Sequence, residues 1–153
     1  MKIEILAVDR LRARWAREAV EEYLGRVRRY CPAERKDVKR AGEDRAAVDA
    51  EGERLLKLAA PGPSDRLVAL DPSGQPLDSP GWSQLLGGFA NEGAGRVMFL
   101  VGGAGGLSDP VRAAARQVVS LGPQTVSHEL AQVILAEQLY RAWTILRGDP
   151  YHK

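Results

Sequence analysis

The sequence predicts an α/β domain built on a mainly parallel sheet flanked by helices. Three observations carry that prediction. Strand-like and helix-like segments alternate along all 153 residues, the pattern of repeated β-α units. Val97 to Val101 (VMFLV) is wholly apolar, as suits a parallel strand buried on both faces. Three strand candidates run directly into loops of unusual composition, Leu70-Asp71-Pro72-Ser73-Gly74, the glycine cluster 102–106 and Leu121 to Val126. In open parallel sheets, ligands bind beyond the carboxyl ends of strands.

Each element has its own local warrant. Lys2 to Val8 alternates polar and apolar residues and reads as the first strand. Leu11 to Tyr30 reads as a helix, with Trp15, Ala19 and Tyr23, and with Val20, Leu24 and Val27, at three-to-four spacing. Arg35 to Arg40 is a weak, polar edge strand. Arg45 to Ala59 is helical, and Pro61-Gly62-Pro63 ends it. Arg66 to Asp71 (RLVALD) is a buried strand closing in an Asp-Pro-Ser-Gly turn. Asp78 to Phe89 is a helix with Ser79 as cap and Pro80 at its first position. After VMFLV and Gly102 to Leu107, Ser108 caps a short helix with Pro110 near its start. Val118 to Leu121 is the last strand. Ser127 caps the final helix, which Gly148 and Pro150 terminate.

Residues 1–153 read as one domain, large enough for a proper core and without linker, repeat or low-complexity tract. No run approaches the roughly 18 apolar residues of a membrane span. The start, MKIEILAV, lacks the apolar region of a signal peptide. Cys31 is the single cysteine, so no internal disulfide forms, and no Cys/His cluster has zinc-ligand spacing. A cytoplasmic, metal-free protein is the expectation.

The net charge of +2 hides an asymmetry. Between Arg10 and Arg40 eleven lysines and arginines face five acids. Such a stripe suits a phosphate-backbone partner, with Arg10, Arg14 and Arg17 as candidate contacts. It also suits a solvated helix face, with Arg17 pairing Glu21 at i,i+4. Familiar nucleotide motifs are missing: GGAGGL does not fit G-x-G-x-x-G, and no G-x-x-x-x-G-K-[ST] run exists. Hydride transfer and nucleoside triphosphate hydrolysis lose support accordingly. The three glycine-bearing loops instead suggest a pocket of main-chain groups suited to a nucleoside, since glycine lets backbone approach a ligand closely.

The chemistry-bearing side chains sit on the final helix and behind it. The only two histidines, His128 and His152, lie at opposite ends of this block. Imidazoles exchange protons near neutral pH, and a helix N-terminus disfavours a cation beside it. Arg141 can pair with a phosphate or a developing anion, or with Glu137 one turn earlier in a plain ion pair. Tyr140 and Trp143 read as core or interface. The tail Tyr151-His152-Lys153 is too polar for packing, so its use lies outside this helix.

VGGAGGL, SLGPQT, LD-x-x-G at Leu70 to Gly74 and above all HELAQVILAEQLYRAWTILRGDPYHK resemble the RlmH family, in the SPOUT class of methyltransferases. The resemblance covers the whole chain. It implies an S-adenosylmethionine-dependent enzyme that methylates N3 of a pseudouridine in 23S ribosomal RNA of the assembled ribosome. It implies a C-terminal trefoil knot, which is otherwise almost absent from proteins, and a homodimer. By position, the cofactor loops are at Leu70, at Gly102 and Gly103, and at Leu121, Gly122, Pro123, Gln124, Thr125 and Val126. Tyr151, His152 and Lys153 are expected to complete the partner subunit's active site, with Lys153 and the N-terminal arginines gripping RNA.

Methyl transfer from a sulfonium is dominated by positioning, and the weakly acidic imide N3–H must lose its proton. His128 or His152 would accept that proton, and Arg141 would stabilise the pyrimidine anion or a phosphate. Two positions depart from the family pattern. Gln132 stands where an arginine is usual, so Arg141 or an N-terminal arginine would have to substitute. In the last cofactor loop, Gln124 replaces a methionine, and Gly122-Pro123 precede it. Two rival readings remain, a SPOUT enzyme acting on transfer RNA and a ribosome-binding protein without catalysis.

Overall fold

In a computed structural model describing residues 1–153, five strands form one wholly parallel sheet in the order β2-β1-β4-β3-β5. The elements are β1 (Lys2–Val8), α1 (Arg14–Val27), β2 (Ala33–Val38), α2 (Arg45–Ala59), β3 (Arg66–Pro76), α3 (Ser79–Asn91), β4 (Arg96–Val101), α4 (Asp109–Ala114), β5 (Gln117–Ser120) and α5 (His128–Arg147). Parallel strands need crossovers, and each of the four strand-to-strand connections carries one helix.

Side chains alternate across a strand, so β4 contributes to a core on each face of the sheet. Val97, Phe99 and Val101 join a core with α1, α3 and α5, while Met98 and Leu100 join a second core with α2 and α4 on the other face. The sheet is thus covered on both sides, as the apolar VMFLV run predicts. α5 packs between α1 and α3. Its Leu135, Leu139, Tyr140 and Trp143 fill the larger core, and Trp143 stacks on Tyr30 at 5.8 Å. No helix is long and apolar enough to cross a membrane.

Several local expectations need correction. Trp15 is 54% exposed, because α1 starts only at Arg14 and its buried stripe is Ala16, Val20, Leu24 and Val27. The buried side chains of Val20, Leu24 and Val27 each contribute roughly 1.5–3 kcal/mol, against about 0.5 for an exposed ion pair like Arg14–Glu18. Packing, not charge, holds α1. β1 is buried on both faces from Ile3 to Val8, including Glu4, whose carboxylate is matched by Lys2 at 2.9 Å, Lys36 at 3.4 Å and Arg96 at 3.5 Å. β2 is the edge strand as expected, two residues earlier than its sequence bounds suggest.

The Asp-Pro-Ser-Gly turn is an excursion within β3, which shifts register between Leu70 and Gln75 and then pairs again with β5. The cap of α3 is Asp78, whose carboxylate accepts from the Gly81 amide at 2.7 Å, and Ser79 is the first helical residue. Ser108 precedes α4 but makes no side-chain capping bond; it is buried against Gly52 of α2. Ser127 does cap α5, accepting from the Leu130 amide at 3.2 Å.

Candidate active site

The carboxyl ends of β3, β4 and β5 lie side by side, and their loops enclose a cavity of about 420 Å³. Leu70, Gly102, Gly103, Leu121, Gly122, Gln124, Thr125 and Val126 all line it, so the three loops converge as expected. Pro123 belongs to the third loop but does not line the cavity. Glycine is required at two points. A Cβ on Gly102 would stand 2.5 Å from the carbonyl carbon of Gly106, and Gly122 has φ +132°, a conformation side chains resist. Asp71, on the same wall, accepts from the Ser73 amide at 2.9 Å and from Arg112 at 3.0 Å. Burial would raise this carboxyl, but those bonds outweigh it and hold it below the usual carboxylate range.

α5 starts on the wall of this cavity. His128 lines it, and its Nε2 is buried with no hydrogen-bond partner. Asp9, just past β1, lies near enough for the imidazole to act on its carboxyl. Burial alone would raise that carboxyl, yet bonds from Arg12 and the Arg10 amide, together with His128, hold it low. Glu129 turns the other way and accepts from the amides of Arg12 and Ala13, the latter at 3.2 Å. α1 has no capping side chain of its own, so Glu129 serves as one. Gln132, one turn on, is fully buried.

The tail, expected to be too polar for packing, in fact packs through Tyr151 on α5 itself, away from His128. The Tyr151 hydroxyl donates to Glu137 at 3.0 Å, and its ring lies 4.6 Å from that of Tyr140. Arg141 pairs with Glu137 at 2.6 Å, covers the Tyr151 ring at 4.6 Å and stands 3.4 Å from His152 Nδ1. His128 and Arg141 are thirteen positions apart on the helix, about 20 Å along the axis. One chain therefore brings Arg141, Tyr151 and His152 together, and does not bring them to His128.

Two phenols secure the tail. Tyr30 bonds to Asp149, and that bond with burial pushes its pKa up to about 12. Burial and the Glu137 bond push Tyr151 to about 12 as well. For a neutral acid with a raised folded pKa, the stabilisation is complete below its free value of 10.0 and is lost as pH rises towards 12. The tail is expected to come free in that window. Phenolate absorbance should record the two late ionisations in the native protein, and Tyr151→Phe should remove one of them.

The N-terminal arginines divide. Arg10, Arg12, Arg17 and Arg35, with Leu11, Val20, Glu21 and Asp37, line a groove of about 730 Å³ formed by the segment after β1, the first half of α1 and β2. Arg17 does not pair with Glu21; it donates to the carbonyls of Leu11 at 3.0 Å and Arg12 at 2.6 Å, while Glu21 takes Arg28. Arg14 is outside the groove, paired with Glu18 at 2.6 Å, and exposed Lys153 is on the tail.

A family model described as "Predicted SPOUT methyltransferase" matches residues 1–152. The chain belongs to the SPOUT methyltransferase family. Its relatives include proteins named "Ribosomal RNA large subunit methyltransferase H" from Geotalea daltonii, 39% identical, and from Trichlorobacter lovleyi, 41% identical, each alignment spanning 99% of both chains. The crystal structure titled a "Probable Methyltransferase" from Bordetella pertussis Tohama I shares the fold. Its TM-score is 0.57 at 15% identity, over 92% of this chain and 95% of that one. As a SPOUT methyltransferase the chain uses a methyl donor. Sequence reasoning missed Asp9, Arg35 and Glu129. Asp9 carried a signal only in hindsight: it follows the first strand and adopts φ +70°.

Proposed function

We propose that this SPOUT methyltransferase transfers a methyl group from S-adenosylmethionine to N3 of a pseudouridine in 23S ribosomal RNA of the assembled ribosome. The observation that carries the reading is His128 on the wall of the three-loop cavity, its buried Nε2 free of any partner. The cavity suits the cofactor: its size falls in the usual ligand range, and main-chain groups at Gly102, Gly103 and Gly122 are open to a ligand. When bound, the group supplies an electrophilic methyl on a sulfonium.

Every other task falls to residues of the chain. Leu70, Leu121 and Val126 give the cavity apolar walls that exclude water. The loop Leu121 to Val126, including Pro123 and Thr125, closes it. His128 Nε2 takes the imide proton, because His152 Nδ1 already faces Arg141 at 3.4 Å. Arg141, held above its usual pKa by Glu137, meets the developing anion or a phosphate. Since Arg141 and the tail lie away from their own cavity, they serve the partner's site in a homodimer. The groove with Arg10 and Arg17 receives backbone phosphates, and Arg14 and Lys153 contact RNA from outside it. We read residues 1–153 as one cytoplasmic domain with a C-terminal trefoil knot.

The test is transfer of a labelled methyl group to ribosomes lacking the modification, with naked ribosomal RNA and transfer RNA in parallel. Label on the ribosomes, mapped to a pseudouridine N3, is the expected result. Label on transfer RNA would replace the substrate while keeping donor and site. Bound donor with no label anywhere would replace catalysis by ribosome binding.

A further inference from the structure

Arg35 reaches from β2 to the first turns of α5. Its side chain is 13% exposed and gives each nitrogen to a different residue. Nε donates to Gln132 Oε1 at 2.6 Å, Nη1 to Asp37 at 2.5 Å and Nη2 to the Asp9 carbonyl at 2.8 Å. Gln132, fully buried, donates its amide in turn to the His128 carbonyl at 3.1 Å. A buried amide left without partners is costly, so both ends of Gln132 are committed. The unusual φ of Asp9, +70°, requires neighbours that hold it, and the Arg35 bond to its carbonyl is one.

We propose that Arg35 is a positioning residue for His128. Acting through Gln132 and Asp9, it locks the first turn of α5 to the ends of β1 and β2. The rigid guanidinium fork is what three-way bracing needs; an ammonium lacks that geometry. Its kinetic consequence rests on the proposed role of His128 as proton acceptor. Arg35 also lines the arginine groove, so a direct phosphate contact is the competing role, with different consequences.

Because the protein has only two histidines, nuclear magnetic resonance of the imidazoles reads the ring of His128 directly, with His152 as internal reference. In Arg35→Leu the His128 signals should move while those of His152 stay. Turnover on ribosomes should fall about 10–100-fold, with KM for the methyl donor changed less than about threefold. Arg35→Lys should behave similarly, and it carries the test should the leucine variant not fold. Arg35→Leu with Gln132→Arg, returning the guanidinium from the helix side, should recover turnover to within about fivefold.

An unmoved His128 ring with unchanged turnover in Arg35→Lys overturns the proposal. So does a raised KM for ribosomes with weaker salt dependence and an unmoved ring, which is the signature of a phosphate contact. Failure of the acceptor reading is distinguishable, since His128→Asn would then keep its turnover. In that event the ring signals alone decide: displaced in the Arg35 variants they sustain the bracing, undisplaced they overturn it.

Discussion

Deleting Tyr151 to Lys153 should leave the methyl donor bound within about threefold of its normal affinity and lower methyl transfer by about 10²–10⁴-fold. The two effects separate because the tail does not line its own cavity. It folds back on α5 through Glu137, Tyr140 and Arg141. On the proposed reading, what the deletion removes is the group serving the other subunit. Calorimetry with the donor and labelled transfer to ribosomes measure the two quantities. Mixing the truncated chain with a His128→Ala chain sharpens the test. In a two-fold dimer the mixed species holds one complete site, so about a quarter of wild-type turnover should return. No recovery, with mixed dimers demonstrated, would place the tail in its own site.

Gly102→Ala should have the largest effect on donor binding, lowering affinity at least about 100-fold and destabilising the fold by about 1–3 kcal/mol. The added methyl would sit 2.5 Å from the Gly106 carbonyl carbon, 2.6 Å from its oxygen and 2.9 Å from the Leu107 nitrogen. All three are backbone atoms, so no rotamer change relieves the clash. The loop must open, and the Gly106 amide bond to the Gly103 carbonyl at 3.0 Å goes with it. Gly88→Ala is the matched control. That glycine is exposed in α3 with nothing within 4 Å of its Cβ position, so alanine there should be neutral or slightly stabilising. Equal donor affinity in the two variants would remove the loop from the binding site.

Hydrophobic pattern made the sheet and its coverings legible, since Val97 to Val101 and Arg45 to Ala59 appear at or within a residue of their expected bounds. Local chemistry misled where two neighbours compete. Asp78 and Ser79 can both cap a helix, and nothing short of the backbone path decides between them. A Pro-Ser-Gly run signals a turn equally well when it is an excursion within a strand. Trp15 belongs to a plausible apolar stripe whose use depends on where the helix starts. The convergence of Leu70, Gly102 and Leu121 came from their places at strand ends. Arg35 and Gln132 could not be paired in this way: 97 positions separate them, and neither residue type advertises the other.

Glu129, reaching 116 positions back to the Ala13 amide, has a consequence for how the chain acquires its structure. The earliest helix to be synthesised is finished by a side chain from the last. α5 also fills the space between α1 and α3, so much of the larger core closes only when the C-terminal segment arrives. Contacts of such long sequence separation slow folding, because the intervening chain must be ordered before they repay its entropy. A nascent chain stopped before α5 holds strands with one apolar face only partly covered by α1 and α3, the kind of surface that chaperones shield during synthesis.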